Sequence, residues 1–89
     1  MMRLFVRHTV ANYSTWRKAY DAFEAQRAPM GVTAHAVYQL ADNPNDVTVW
    51  HDFATAQQAQ AFMTSESLRK AMTEAGVQGT PAVWLTNAV

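Results

Sequence analysis

Three histidines are the residues of this chain best suited to chemistry, and each falls in an extended segment: His8, His35 and His51. His8 follows Leu4 and Val6 at two-residue spacing, and His51 follows Val47 and Val49 in the same way. That alternation puts each imidazole on the apolar face of a strand. An imidazole titrates near neutrality, so in a shielded site it can take a proton from a phenol or a carbon acid. Burial lowers its basicity, because desolvation disfavours imidazolium, and a second imidazole nearby penalises double protonation. His8 and His51 are therefore the candidate catalytic residues. The face taken by His35 depends on the register set by the 41–46 loop, and a one-residue slip reverses it. Three converging imidazoles could hold zinc, copper or iron. No helix carries a paired histidine motif, however, and the three are far apart in the chain, so no metal is expected.

Around these lie residues suited to contacting a ligand. Trp16, Tyr20, Phe23, Phe62 and Met63 make an aromatic and methionine wall, which in a hollow domain would accept a planar aromatic molecule. Tyr20 and Tyr38 could donate hydroxyls to a substrate oxygen. Arg7 and Asp52 fall on the opposite strand faces from the histidines, where an ion pair across strands or across an interface is the favoured role. Ser14, Ser65 and Ser67 stand at helix starts and are expected to cap them. There is no glycine-rich phosphate loop and no G-x-S-x-G elbow.

Composition limits the classes of function. The chain has 89 residues, expected to form one domain over 1–89 with no linker. A chain this short buries only about 60–65% of its unfolded surface, which makes a lone monomer marginal and favours self-association. Cysteine is absent, which excludes disulfides, thiolate metal sites and cysteine nucleophiles. Formal net charge is zero with no basic run, so neither nucleic acid nor an anionic membrane is an expected partner. The apolar run from Leu4 to Val6 is too short for a signal peptide. No stretch approaches a membrane span, and a cytoplasmic location is expected.

The elements that must position the histidines follow from periodicity. Arg3 to Val10 alternates as a strand, with Leu4, Val6, His8 and Val10 on one face. Asn12 or Ser14 can cap a helix whose stripe is Trp16, Ala19, Tyr20, Phe23 and Arg27, ended by Pro29 and Gly31. Val32 to Leu40 is the second strand, the turn-rich 41–46 segment a hairpin loop, and Val47 to Phe53 the third strand. Thr55 and Gln58 have capping-box spacing for a second helix, which Ser65-Glu66-Ser67 kinks or restarts and Gly76 stops. Ala82 to Thr86 is the last strand. This order predicts an α+β domain, a ferredoxin-like βαββαβ sandwich with both helices on one face of a four-stranded antiparallel sheet. The first and third strands are expected at its centre, parallel to each other. The helix-free face would carry Phe5, Trp50 and Trp84, a patch that needs a partner, and sheet-to-sheet dimerisation supplies one.

The segments Val6-Arg7-His8-Thr9-Val10-Ala11-Asn12-Tyr13 running into Trp16, Ala41 to Val47, and Ser67 to Met72 leading to Ala75-Gly76-Val77 and Pro81 carry a family resemblance. The chain resembles the dimeric α+β barrel superfamily in its antibiotic-biosynthesis-monooxygenase-like branch, over essentially its whole length. The resemblance implies a homodimer with a small-molecule cavity between sheet and helices. It also implies a range of activities: cofactor-independent monooxygenases acting on polycyclic phenols or quinols, haem-degrading enzymes, polyketide cyclases, muconolactone isomerases and stress proteins. Haem-degrading relatives carry an axial histidine on the last helix, and that position falls on Met72 here. Their helix tryptophan falls on Phe62 and their first-strand asparagine near His8. Haem breakdown through such a ligand is therefore not expected.

Together these expectations describe a small homodimeric enzyme without a bound cofactor, a monooxygenase or a cyclase/isomerase, acting on a planar aromatic or polyketide-like molecule. Its catalytic residues would be His8 and His51, and Trp16, Tyr20, Tyr38, Phe62 and Met63 would bind the substrate. The alternative is a non-catalytic ligand-binding or structural stress protein of the same fold. A cavity lined by His8 and His51 favours the first, and a space filled by Tyr20, Phe62 and Met63 favours the second.

Overall fold

The computed structural model describes residues 1–89. Eight elements follow one another: β1 (Met2–Val10), α1 (Tyr13–Ala22), α2 (Glu24–Arg27), β2 (Ala34–Leu40), β3 (Asn43–Phe53), α3 (Ala56–Met63), α4 (Glu66–Glu74) and β4 (Val77–Asn87). Each of the two expected helices is broken once, giving the βαββαβ order with split helices. Local chemistry explains the starts. The Asn12 side chain accepts the Thr15 N–H at 3.1 Å, Thr55 accepts that of Gln58 at 3.2 Å, and Ser65 restarts the helix by accepting from Leu68 at 3.3 Å.

The strands form one sheet in the order β2-β3-β1-β4, with every neighbouring pair antiparallel. The expectation that β1 and β3 run parallel is corrected here. The helical crossover returns the chain so that β2 runs with β1, and the β2–β3 hairpin then reverses β3. The hairpin is tighter than expected, because Leu40 already pairs with Asn43 and β3 starts four residues before Val47. Pro44 lies where the register jumps between Gln39 and Leu40, an irregular stretch that tolerates a residue without an N–H. The last strand is also longer, running from Val77 through Gly79, whose φ of 68° lies in the left-handed region.

The core lies between the sheet and the helices in two adjoining clusters. One holds Val10, Trp16, Tyr20, Val47, Val49 and Ala75, and the other holds Leu4, Phe53, Ala59 and Phe62. On the helix-free face the register aligns Ala36, Trp50, Phe5 and Trp84 in one row across all four strands. Phe5 and Trp84 stack with centroids 5.3 Å apart, and the Arg3 guanidinium lies 3.7 Å above Trp50. Arg3 forks onto Asp52 at 2.7 and 2.9 Å, and Arg7 onto Asp46 at 3.0 and 2.8 Å. Arg7 and Asp52 thus each make a cross-strand ion pair, with partners other than one another. No helix is long and apolar enough to cross a membrane.

Candidate functional site

His8 and His51 both point into the space between sheet and helices, as their alternation with apolar neighbours requires. They do not stand side by side. In the antiparallel register Leu4 faces His51 and His8 faces Val47, which separates the two imidazoles by four residues along the strands. At about 3.4 Å per residue that is roughly 14 Å, against the 10 Å or so that parallel strands would have allowed. Aromatic rings fill the interval. His8 meets the edge of Trp16 with centroids 5.6 Å apart, Trp16 stacks on Tyr20 at 5.0 Å, and Tyr20 lies 6.2 Å from His51.

Both imidazoles are buried, with 8% of His8 and 6% of His51 exposed. Both ring nitrogens of His8 and Nδ1 of His51 make no hydrogen bond within the protein. Burial pushes the His8 imidazolium below its ordinary pKa, with the Asp46 carboxylate opposing in part. Burial, aided by the charges of Arg27 and His35, takes His51 down to about 3. Both are neutral at pH 7, so their buried nitrogens are free to accept or donate to a ligand.

A cavity of about 70 Å³ opens between them, walled by Trp16, Tyr20, Phe23, Phe62, Leu68 and Met72 among others. Beside it, between α3, α4 and β4, runs a groove of about 300 Å³ that includes Met63, Arg69 and Val83. Val6, Leu68 and Met72 line both spaces, so two helix side chains form the partition between them. Trp16, Tyr20 and Phe62 therefore face the cavity, and Met63 faces the groove instead. Tyr38 is on the other side of the sheet: it pairs with Thr48 next to the Ala36–Trp50 row and is 55% exposed.

The register places His35 directly opposite His51, with ring centroids 6.0 Å apart. Its Nδ1 lies 2.6 Å from the Tyr20 hydroxyl oxygen, within hydrogen-bond distance, and its Nε2 lies 3.2 Å from a Glu24 carboxylate oxygen. Arg27, almost fully buried, bonds the Tyr20 carbonyl at 2.7 Å and the Glu24 carboxylate at 2.8 Å, and covers the Tyr20 ring at 3.9 Å. The Arg27 hydrogen bond holds the Glu24 carboxyl below its ordinary pKa. Burial pushes the Tyr20 phenol up to about 12, against the opposing pull of Arg27 and Arg17. Glu24 and the link to His35 escaped the sequence reading. The usable signal was helical spacing, since Tyr20, Glu24 and Arg27 recur at four and three residues and so share a helix face. The three histidines form no metal-binding group, and no other cluster of ligating side chains does.

No family model matches the sequence, and no curated protein matches it either. Solved structures do match over the full length. A Bordetella bronchiseptica protein assigned to the antibiotic biosynthesis monooxygenases superposes with a TM-score of 0.84 at 13% identity, covering 99% of this chain and 96% of that one. SnoaB, a cofactor-independent oxygenase from Streptomyces nogalater, gives 0.81 at 15% identity, with 99% and 92% covered. A Nitrosomonas europaea protein of the same assignment gives 0.79 at 14% identity, with 100% and 99% covered. The chain has the fold of the antibiotic-biosynthesis-monooxygenase-like proteins, as its sequence resemblance implied. Identities at this level carry the fold, while chemistry depends on the particular side chains.

Proposed function

We propose that this chain is a small homodimeric enzyme that works without a bound organic cofactor on a planar aromatic or polyketide-like molecule, as a monooxygenase or a cyclase/isomerase. The observation that carries this reading is the cavity between sheet and helices, where the buried nitrogens of His8 and His51 lack protein partners amid aromatic walls. The substrate would lie along Trp16, Tyr20 and Phe62, with a hydroxyl or acidic carbon at an imidazole. His51 is a weak base in the empty protein, but an anion formed beside it would raise the pKa of its conjugate acid and stabilise the ion pair. Removal of the proton leaves a carbanion. In the oxygenase case it reacts with dioxygen to a hydroperoxide, which loses water, so that a CH2 becomes a carbonyl and the second oxygen atom leaves as water. In the cyclase case the same carbanion attacks a carbonyl of its own molecule, with no oxidant consumed.

A cavity of about 70 Å³ has room for about two waters, not a bicyclic ring. Entry of substrate therefore requires Leu68 and Met72 to move aside and join the cavity to the groove. The same small volume favours the second reading, a structural stress protein whose aromatic residues simply fill the core. The two readings separate in an oxygen electrode and by product analysis, with a panel of hydroquinones and polycyclic phenols. Turnover that is lost in His8→Ala or His51→Ala is the expected result. Full turnover in both variants would make the histidines structural, and no turnover or binding with any compound would favour the stress-protein reading.

A further inference from the structure

The Tyr20, His35 and Glu24 side chains follow one another in the order a relay requires. The Glu24 carboxylate can only accept, and one of its oxygens lies 3.2 Å from His35 Nε2, an ion-pair contact that favours a proton on that nitrogen. With the proton there, Nδ1 is the bare nitrogen, and at 2.6 Å it accepts the Tyr20 hydroxyl proton. A carboxylate that fixes the tautomer of an imidazole, which in turn polarises a hydroxyl, follows the logic of the catalytic triads with a phenol in the place of serine. The chain of groups also spans from inside to outside. Tyr20 lines the cavity and is almost fully buried, the His35 side chain is 31% exposed, and that of Glu24 is 56% exposed. Arg27, which lines the same cavity, lies against the ring and would stabilise a negative charge developing there.

The geometry points to a proton relay in which Tyr20 is a further base beside the imidazoles, for a hydroxyl of a molecule held in the cavity that lies at the Tyr20 oxygen rather than at His8 or His51, and His35 and Glu24 carry the proton to the surface. This rests on the cavity being a ligand site, as proposed above. In the step, the substrate X–H bond breaks and its proton goes to the Tyr20 oxygen. The Tyr20 O–H bond breaks as its proton passes to His35 Nδ1. The products are a substrate anion facing Arg27 and an imidazolium paired with the Glu24 carboxylate, which releases its proton to water. Nothing is oxidised or reduced. Tyr20 touches the substrate, whereas His35 and Glu24 act through it.

The test uses 2-naphthol, a planar phenol that becomes strongly acidic on excitation and emits at different wavelengths as phenol and phenolate. In a site shielded from bulk water it ionises within its excited lifetime only when an acceptor is already hydrogen-bonded to it. Saturable binding with phenolate emission is expected for the native protein. Tyr20→Phe should abolish that emission from the bound probe at saturation, whatever the change in affinity. His35→Ala should reduce it about tenfold, and added imidazole should restore it, which a purely structural role for His35 would not produce. Phenolate emission unchanged in both variants, with binding retained, would overturn the relay and leave the ligand site standing. Absence of saturable binding would overturn both. Nitrogen-15 NMR of the unliganded protein provides a readout that needs no probe. A single Nε2–H tautomer of His35 that becomes mixed in Glu24→Gln is expected, and a mixed population in the native protein would overturn the relay.

Discussion

His51 and Asp52 are consecutive, yet their side chains solve burial in opposite ways. His51 stays neutral without a partner for Nδ1, while Asp52 stays charged on the fork of Arg3. The consequence for stability follows from linkage. The folded pKa of His51 is about 3 and an exposed histidine titrates near 6.5, so below pH 6.5 the unfolded chain binds a proton that the folded one refuses. Stability should be level above pH 6.5 and fall as the pH drops, by about 2 kcal/mol between 6.5 and 5 from this group alone. Urea titrations at both pH values check this, and His51→Leu should remove this part of the slope and leave that of His8, whose pKa burial also lowers. The carboxylates Glu24, Asp46 and Asp52, all held low by arginine hydrogen bonds, add their own loss only as the pH falls through the ordinary carboxylate range and below. The two arginine forks can be ranked in the same way. The Asp52 side chain is 5% exposed and that of Asp46 17%, so Arg3→Ala, which strands a buried charge, should lower the unfolding midpoint further than Arg7→Ala. The faces of His8 and His51 were legible in the sequence because alternation fixes them. The spacing of the histidines was not, because it depends on strand direction, and the role of His35 was not, because it depends on the register past the irregular stretch at Pro44.

The order of elements was legible for the same reason, since period-two and helical segments alternate and the caps at Asn12, Thr55 and Ser65 mark their starts. Strand direction also follows from that order, because a crossover and then a hairpin leave β3 antiparallel to β1, and it is this direction that sets the two candidate imidazoles apart. The lengths of β3 and β4 were hidden by their composition, because Asn43, Pro44, Gly79 and Pro81 read as turn residues; Asn43 pairs with Leu40, and the other three lie within the strands at the register shifts. Among the helices, α4 stands out in having no fully buried residue, whereas α1 and α3 each bury two. A helix held by half-buried contacts opens at lower cost than the central strands. Hydrogen exchange should therefore be at least about tenfold faster for α4 amides than for those of β1 and β3. A bound planar phenol that displaces Leu68 and Met72 should alter α4 exchange. Equal protection of α4 and the central strands would mean that the partition between cavity and groove does not yield.

Across the whole molecule, the helix-free face combines the Trp50, Phe5 and Trp84 row with two arginine–aspartate forks. Leaving such rings in water forfeits roughly 1.5–3 kcal/mol each, a large share of the stability a domain of this size can hold. Dimerisation through this face is the expected remedy. Sedimentation at micromolar concentration should give a dimer, and Trp50→Glu a monomer or an unfolded chain; a folded native monomer would contradict the proposal. The functional proposal is tested most directly by locating a planar phenol on the protein. Two-dimensional NMR recorded during titration with 2-naphthol would follow the indole of Trp16, the rings of His8 and His51 and the methyl of Met72. The expected result is saturable shifts at these four residues, with little change at Trp50 and Trp84. Shifts confined to Trp50 and Trp84, or none at all, would contradict a ligand site between the sheet and the helices.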